Sequence, residues 1–248
     1  MTLPRFYAPD LDPSGGRVAL SSEESHHLAS VMRLEAGDEA AIFDGRGRAV
    51  RARVERADRR RAVLQILEGL ESQPEPEVPI TLVQAVLKGD KMDGVIRDAT
   101  MAGVGRITPI VTERSQTRAS ALIRRHAVER WERVAIASAK QCGQTRLPLI
   151  DAPLEFQEWL RSTGDAVRLL LTEPSSSFAA AQPLRAALDR LRPRSVNCIV
   201  GPEGGWSADE HRAALAAGCV PVTIGRMTLR ADAAGLVVAS ILAFVLEQ

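Results

Sequence analysis

The sequence predicts an α/β protein built on a parallel sheet and preceded by a small β-barrel. Three observations carry this. After residue 79, short apolar runs alternate with helical segments. Before residue 71 the segments are short, alternate in polarity and are punctuated by turn residues. Between them, Glu71 to Pro79 (ESQPEPEVP) reads as a stiff acidic linker with three prolines. Near-continuous apolar strands belong to a parallel sheet covered by helices on both faces. The boundaries that follow are 1–72 for the barrel and 73–248 for the α/β domain.

In the first part, Ser22–Met32 reads as one helix. Asp44-Gly45 and Arg46-Gly47 are hairpin-type turn pairs. The strand Arg48–Val54 then sets Val50, Ala52 and Val54 on one face, with Ala49, Arg51 and Arg53 on the other. After the linker, strand Ile80–Leu87 leads to helix Asp90–Ala102, with Gly103 at its end. Strand Arg106–Val111 precedes a long helix over Ser120–Gln141. Strand Val167–Thr172, helix Pro183–Leu191, strand Val196–Val200, helix Ala208–Ala217, strand Val220–Ile224 and a final helix complete the pattern. From Ala233 to Leu246 that last helix has almost no polar face, and a helix apolar all round must be buried on all sides. Burial against a second copy of the chain is the preferred reading; burial within its own domain is the competing one.

The most informative stretch is Cys198-Ile199-Val200-Gly201-Pro202-Glu203-Gly204-Gly205-Trp206-Ser207. A buried strand breaks into a glycine loop, and Ser207-x-x-Glu210 then has the spacing of a capping box. Strand, glycine loop and capped helix present backbone N–H groups at the carboxyl edge of a sheet, where α/β proteins bind ligands. A second such unit follows at once, with loop Gly225–Asp232. The loop has neither the GxxxxGK[ST] nor the GxGxxG pattern. Pro202 lacks a donor and an ionised Glu203 repels phosphate, so a cationic or hydroxyl-bearing ligand suits it better. The competing reading is a tight turn whose glycines only permit positive φ.

Composition narrows the function further. The 248 residues carry a formal charge of +1, which excludes a global basic field. Of 32 basic residues only Lys88, Lys91 and Lys140 are lysine. Three cysteines form no CxxC, and a reducing, cytoplasmic setting fits them. No signal-peptide h-region opens the chain, and the 14 residues from Ala233 to Leu246 are too few for a membrane span. The histidines give no metal cluster: His26 and His27 point about 100° apart on a helix, and His126 and His211 are expected to be solvated. Residues 46–61 hold eight arginines against Glu55 and Asp58, yet residues 1–70 as a whole are balanced. That stripe is compatible with RNA docking, and equally with a solvated arginine-rich face.

The ordered motifs match a known family. They are Arg5-Phe6-Tyr7; His26-His27-Leu28 with Val31-Met32-Arg33-Leu34 and Gly37-Asp38; Lys88-Gly89-Asp90-Lys91-Met92-Asp93; and Gly103-Val104 with Ile107-x-Pro109. Next come Glu113-Arg114-Ser115, Arg130-Trp131, Gln141 with Arg146 and Pro148, Gly201–Gly205 and Gly225-Arg226-Met227-x-Leu229-Arg230. Over nearly its whole length the chain resembles the RsmE-type 16S rRNA uridine-N3 methyltransferases of the SPOUT class. The resemblance implies a PUA-like barrel, an α/β domain with a C-terminal trefoil knot, a homodimer and S-adenosylmethionine as methyl donor. General topology rules argue against a knot, so periodicity could not have supplied that expectation.

The resemblance also implies where the cofactor sits: Leu171, Thr172 and Glu173; Gly201, Pro202, Glu203 and Gly204; and Ile224, Gly225, Met227, Leu229 and Arg230. Two places depart from the family pattern. Asp98 and Met101 stand where a lysine and a glutamate are common, and Arg230-Ala231-Asp232-Ala233-Ala234 replaces Arg-Thr-Glu-Thr-Ala. Uridine N3 must lose a proton before it attacks a methyl group, so an acceptor or a cation for the resulting anion is needed. Arg230 is the first candidate and Arg114 the second; Glu203 or Asp232 could act as base, orient ribose or cap a helix. Contacts to 16S rRNA within the small ribosomal subunit are expected from Arg5, Arg33, Arg46, Arg48, Lys88 and Lys91, and no metal is expected. The alternatives are a ribose 2′-O-methyltransferase of the same class and a non-catalytic RNA-binding assembly factor.

Overall fold

The computed structural model describes residues 3–124, 126–174 and 181–246. Met1, Thr2 and Arg125 of the sequence reading, and the end of its final helix, lie outside them. The chain forms two compact units: 1–75 with 136–147, and 76–135 with 148–248. The first unit therefore contains a segment that returns from beyond the linker.

In the first unit five strands form one sheet: β1 (Arg5–Tyr7), β2 (Arg17–Ala19), β3 (Glu39–Phe43), β4 (Ala49–Arg56) and β5 (Val63–Gly69), in the order β1-β3-β4-β5-β2. The expected alternation of β4 holds, with Val50, Ala52 and Val54 buried beside Phe6, Leu28, Ile42 and Leu64. Burying such side chains contributes about 1.5–3 kcal/mol each, which is why the alternation sets the register.

The helix expected over Ser22–Met32 is in fact two pieces. Helix α1 (Ser22–His26) runs into a π-helical turn at His27–Val31, where the Met32 amide donates to His27 O, and Arg33 closes it at φ 55°. The wider turn lets Glu24, His27 and Leu28 all face inward. Leu28 enters the core, while Lys140 Nζ lies 2.9 Å from Glu24 Oε1 and 2.9 Å from His27 Nδ1. Burial, followed by the nearby Lys140 charge, pushes the His27 imidazole below its ordinary range.

The second unit holds a parallel sheet. Its strands are β6 (Ile80–Ala85), β7 (Arg106–Val111), β8 (Leu149–Ile150), β9 (Leu154–Glu155), β10 (Val167–Leu171), β11 (Gln182–Pro183), β12 (Val196–Val200) and β13 (Val220–Thr223). The order is β11-β13-β10-β12-β6-β7-β8, with β9 also on β7, and the pairings are parallel. Successive residues explain the apolar runs. Leu82, Leu169 and Cys198 enter one core layer, whereas Val83, Leu170 and Ile199 enter the other. Both faces are buried, so both sets of positions are apolar.

The helices are α2 (Lys91–Met101), α3 (Ala119–Arg124), α4 (Ala127–Cys142), α5 (Phe156–Leu160), α6 (Leu184–Leu191), α7 (Ala208–Ala216) and α8 (Ala231–Leu246). The single helix expected over Ser120–Gln141 breaks between α3 and α4, where His126 takes φ 52°. A left-handed residue ends an α-helix, and no glycine or proline there announced the break. Within this chain α8 is not buried all round: Ala234, Gly235, Val238, Ala239 and Leu242 face inward, while Phe244 is 71% exposed. No helix among the described residues is long and apolar enough to cross a membrane.

The order of the last strands positions the site. After β12 the chain passes through α7 and adds β13 on the far side of β10. Strands β12, β10 and β13 are therefore adjacent and parallel, and the loops at their carboxyl ends lie side by side.

Candidate active site

Those three loops enclose a cleft of about 840 Å³. Its first wall follows β10: the Thr172 amide donates to Val222 O at 3.0 Å, fixing the chain from Leu171 to Glu173 against β13. The second wall is the glycine loop after β12. Trp206 Nε1 donates to Leu171 O at 3.0 Å, and its ring packs on Phe156 with centroids 4.9 Å apart. A Cβ on Gly201 would come within 2.9 Å of that indole, so only glycine lets the strand pass so close. The Gly205 amide closes a turn onto Pro202 O, with Gly205 at φ 69°. Both arms of the Ser207–Glu210 capping box are formed, as its spacing predicts. The third wall is the loop after β13, where Ile224, Met227 and Leu229 supply apolar surface.

Charged side chains ring this cleft in pairs. Lys91 Nζ lies 2.8 Å from Glu203 Oε1, and the Lys88 amide approaches the same oxygen. Arg230 grips Asp232 with two hydrogen bonds of 3.0 and 2.7 Å. Arg114 donates to Gly204 O, and its stem would lie 3.2 Å from a Cβ placed on Gly204. These partners set the protonation states. Burial raises the Glu203 carboxyl, but the Lys91 hydrogen bond, two backbone N–H groups and the Lys91 charge together hold it below the ordinary glutamate range. The hydrogen bond that Arg230 donates likewise lowers Asp232, and the same bond raises Arg230. Both carboxylates are thus ionised and weakly basic.

The structure gathers most of the expected residues here. Leu171, Thr172, Glu173, Gly201, Pro202, Glu203, Gly204, Ile224, Met227, Leu229, Arg230, Arg114 and Lys91 line the cleft, whereas Gly225 does not. The first unit holds the remaining arginines. Arg5 lies 5.3 Å from the Phe43 ring centre and donates to Gln144 O, so it is engaged internally. Arg48 pairs with the buried Asp44, while Arg33 and Arg46 are exposed. Much of the arginine stripe is neutralised: Arg51 and Arg53 share Glu39, and Arg51 also meets Glu68. Arg46, Arg59, Arg60 and Arg61 have no ion-pair partner among the described residues.

One expectation needs correction. His211, expected to be solvated, is 3% exposed on the inner side of α7. Trp206 was not singled out, although an aromatic directly after a glycine loop was its available signal. No cluster of metal-ligating side chains occurs among the described residues.

The cleft's chemistry indicates its class. It joins apolar and backbone surface to the Glu173 carboxylate, with Glu203 and Asp232 already ion-paired, which suits a ligand with hydroxyls and a cationic centre. Comparison with known proteins agrees: residues 74–243 match the RNA methyltransferase domain family, and residues 20–67 match the RNA methyltransferase PUA domain family. The fold is that of a SPOUT-type RNA methyltransferase with a PUA-like N-terminal sheet.

Ribosomal RNA small subunit methyltransferase E of Synechocystis sp. is 32% identical over 234 residues, covering 93% of this chain and 74% of that one. The protein of the same name from Mycobacterium bovis is 30% identical over 241 residues, 94% of this chain and 88% of that one. The crystal structure of the Neisseria gonorrhoeae protein of that name, bound to S-adenosyl methionine, superposes with a TM-score of 0.88 at 28% identity, covering 98% of each chain. This chain belongs to the ribosomal RNA small subunit methyltransferase E family.

Proposed function

We propose that this protein transfers a methyl group from S-adenosylmethionine to N3 of a uridine in 16S rRNA of the small ribosomal subunit. The observation that carries the proposal is the convergence of three strand-end loops on one cleft with paired cations at its rim. The cleft fits the donor: the Glu173 carboxylate suits a sulfonium and ribose hydroxyls, and Ile224, Met227 and Leu229 suit a purine. A relative with 28% identity binds the same molecule. S-adenosylmethionine supplies an electrophilic methyl group.

The chain's own residues deal with the nucleophile. Glu203 and Asp232 already hold cations and make poor general bases. The N3 proton leaves to solvent, and the cations hold the anion that remains: Arg230, Arg114 and Lys91 line the cleft, where they stabilise negative charge spread over the uridine O2 and O4. The Asp232 fork holds the Arg230 guanidinium in one orientation, so little ordering is left for the reaction step.

The remaining parts have roles in the same reading. Arg33, Arg46, Arg48 and Lys88 contribute phosphate contacts, and the open face of α8 around Phe244 pairs two copies of the chain in the cytoplasm. Transfer of label from S-adenosylmethionine to purified, unmodified small subunits tests the function. N3-methyluridine after nucleoside digestion is the expected product. A methyl group on the sugar, or no transfer, sinks this reading.

A further inference from the structure

We propose that Glu210 is a positioning residue that locks the Arg114 loop onto the glycine loop; this rests on reading the cleft as the methyl-transfer site. As the N3 residue of a capping box, Glu210 needs only one carboxylate oxygen for its own helix. That oxygen, Oε2, accepts from the Ser207 amide at 3.0 Å. The other, Oε1, accepts from the Glu113 amide at 2.7 Å, on a different strand-end loop. Glu210 is 4% exposed, so neither bond is exchanged readily for water.

The next residue along the chain is Arg114, whose guanidinium returns to Gly204 O. The two loops are thus held at two points, with Arg114 at the cleft between them. The base of the turn is tied separately: the Thr112 amide donates to Ser115 Oγ at 3.1 Å, and Ser115 Oγ reaches Val86 O just after β6. Freeing the Glu113 amide releases the arm of this turn that carries Arg114. A displacement of about 1 Å at a reacting group costs roughly 100-fold in rate.

The test compares Glu210→Gln, Ser207→Ala, Arg114→Ala and the Glu210→Gln, Arg114→Ala double variant. Glutamine keeps the shape of the side chain but turns its NH₂ toward one of the two amides. Ser207→Ala removes the hydroxyl of the same cap and leaves both Glu210 bonds. Glu210→Gln is expected to lower kcat by about 10- to 100-fold, with the KM for S-adenosylmethionine within about twofold of the original. The double variant is expected to be no slower than Arg114→Ala, because the clamp acts through that arginine. Ser207→Ala should lower Tm but spare kcat. Multiplying losses in the double variant, or a Ser207→Ala enzyme as slow as Glu210→Gln, overturns the proposal. If the unmodified protein transfers no methyl group to small subunits, the functional reading fails, and amide exchange decides the clamp. Faster exchange at Glu113 in Glu210→Gln than in Ser207→Ala supports it, and unchanged exchange defeats it.

Discussion

Lys91 Nζ lies 2.8 Å from Glu203 Oε1, joining the first turn of α2 to the glycine loop after β12. A carboxylate engaged this way is a holder of charge, not a proton acceptor poised near neutrality. If Glu203 were the general base, its loss would cost about 10²–10⁴ in rate. Glu203→Gln is therefore expected to retain methyl transfer within about tenfold. Single-turnover rates on small subunits check this, and a larger loss would restore Glu203 as base.

The pH dependence follows from the same pairing. The folded protein lowers the carboxyls of Glu203 and Asp232, so the unfolded chain binds more protons in acid. Their stabilisation is present above the ordinary carboxylate range and fades as pH falls through the lowered folded values. Neither group titrates near neutrality, leaving uridine N3 as the group that gains from base. Methyl transfer should rise steadily from pH 6.5 to above 8. A plateau below neutrality in the measured kcat profile would show that a protein base titrates there.

Gly201 passes under Trp206 with no room for a side chain. The indole is held by Leu171 O and Phe156, so it cannot retreat cheaply. Gly201→Ala is expected to cost about 1–3 kcal/mol of stability. It should also weaken S-adenosylhomocysteine binding, because it separates two walls of the cleft. Calorimetry on the variant measures both effects.

Lys140 and Glu24 form a largely buried pair, 15% and 9% exposed at their side chains. Lys140→Ala leaves the carboxylate uncompensated and should cost about 3 kcal/mol in urea unfolding. The double variant Glu24→Gln, Lys140→Met should recover most of that loss. A double variant as unstable as the single would show that packing, and not charge, dominates there.

Phe244 stands open on the largely apolar helix α8. If α8 pairs two copies, Phe244→Glu places two charges in the interface and shifts the sedimentation coefficient to that of a monomer. A wild-type protein that sediments as a monomer at micromolar concentration removes this part of the reading.

Much of this protein was legible in its sequence, for local reasons. Strands β7 and β12 fall where their apolar runs lie, because residues buried on both faces leave few polar positions. The capping box at Ser207–Glu210 was legible because it needs only four consecutive residues. The ordered motifs gathered the loops of the cleft in advance of any geometry. Other features depend on partners far along the chain. The two-residue strands β8, β9 and β11 have no periodicity to read. The break at His126 carries no glycine or proline. Burial of His211 depends on what packs over α7, and the arginine stripe is quieted by Glu39 and Glu68 on neighbouring strands. The sequence by itself determined the α/β class, because hydrophobic period and capping act within a few residues, and its resemblance to a family named the residues of the loops. Only the tertiary structure decided that β13 lies across β10 from β12, and that Glu203, Asp232 and Glu210 spend their charge on Lys91, Arg230 and the Glu113 amide. Except for the local Arg230–Asp232 pair, those contacts close between positions distant in the chain, where pairing is set by the packing of the whole sheet.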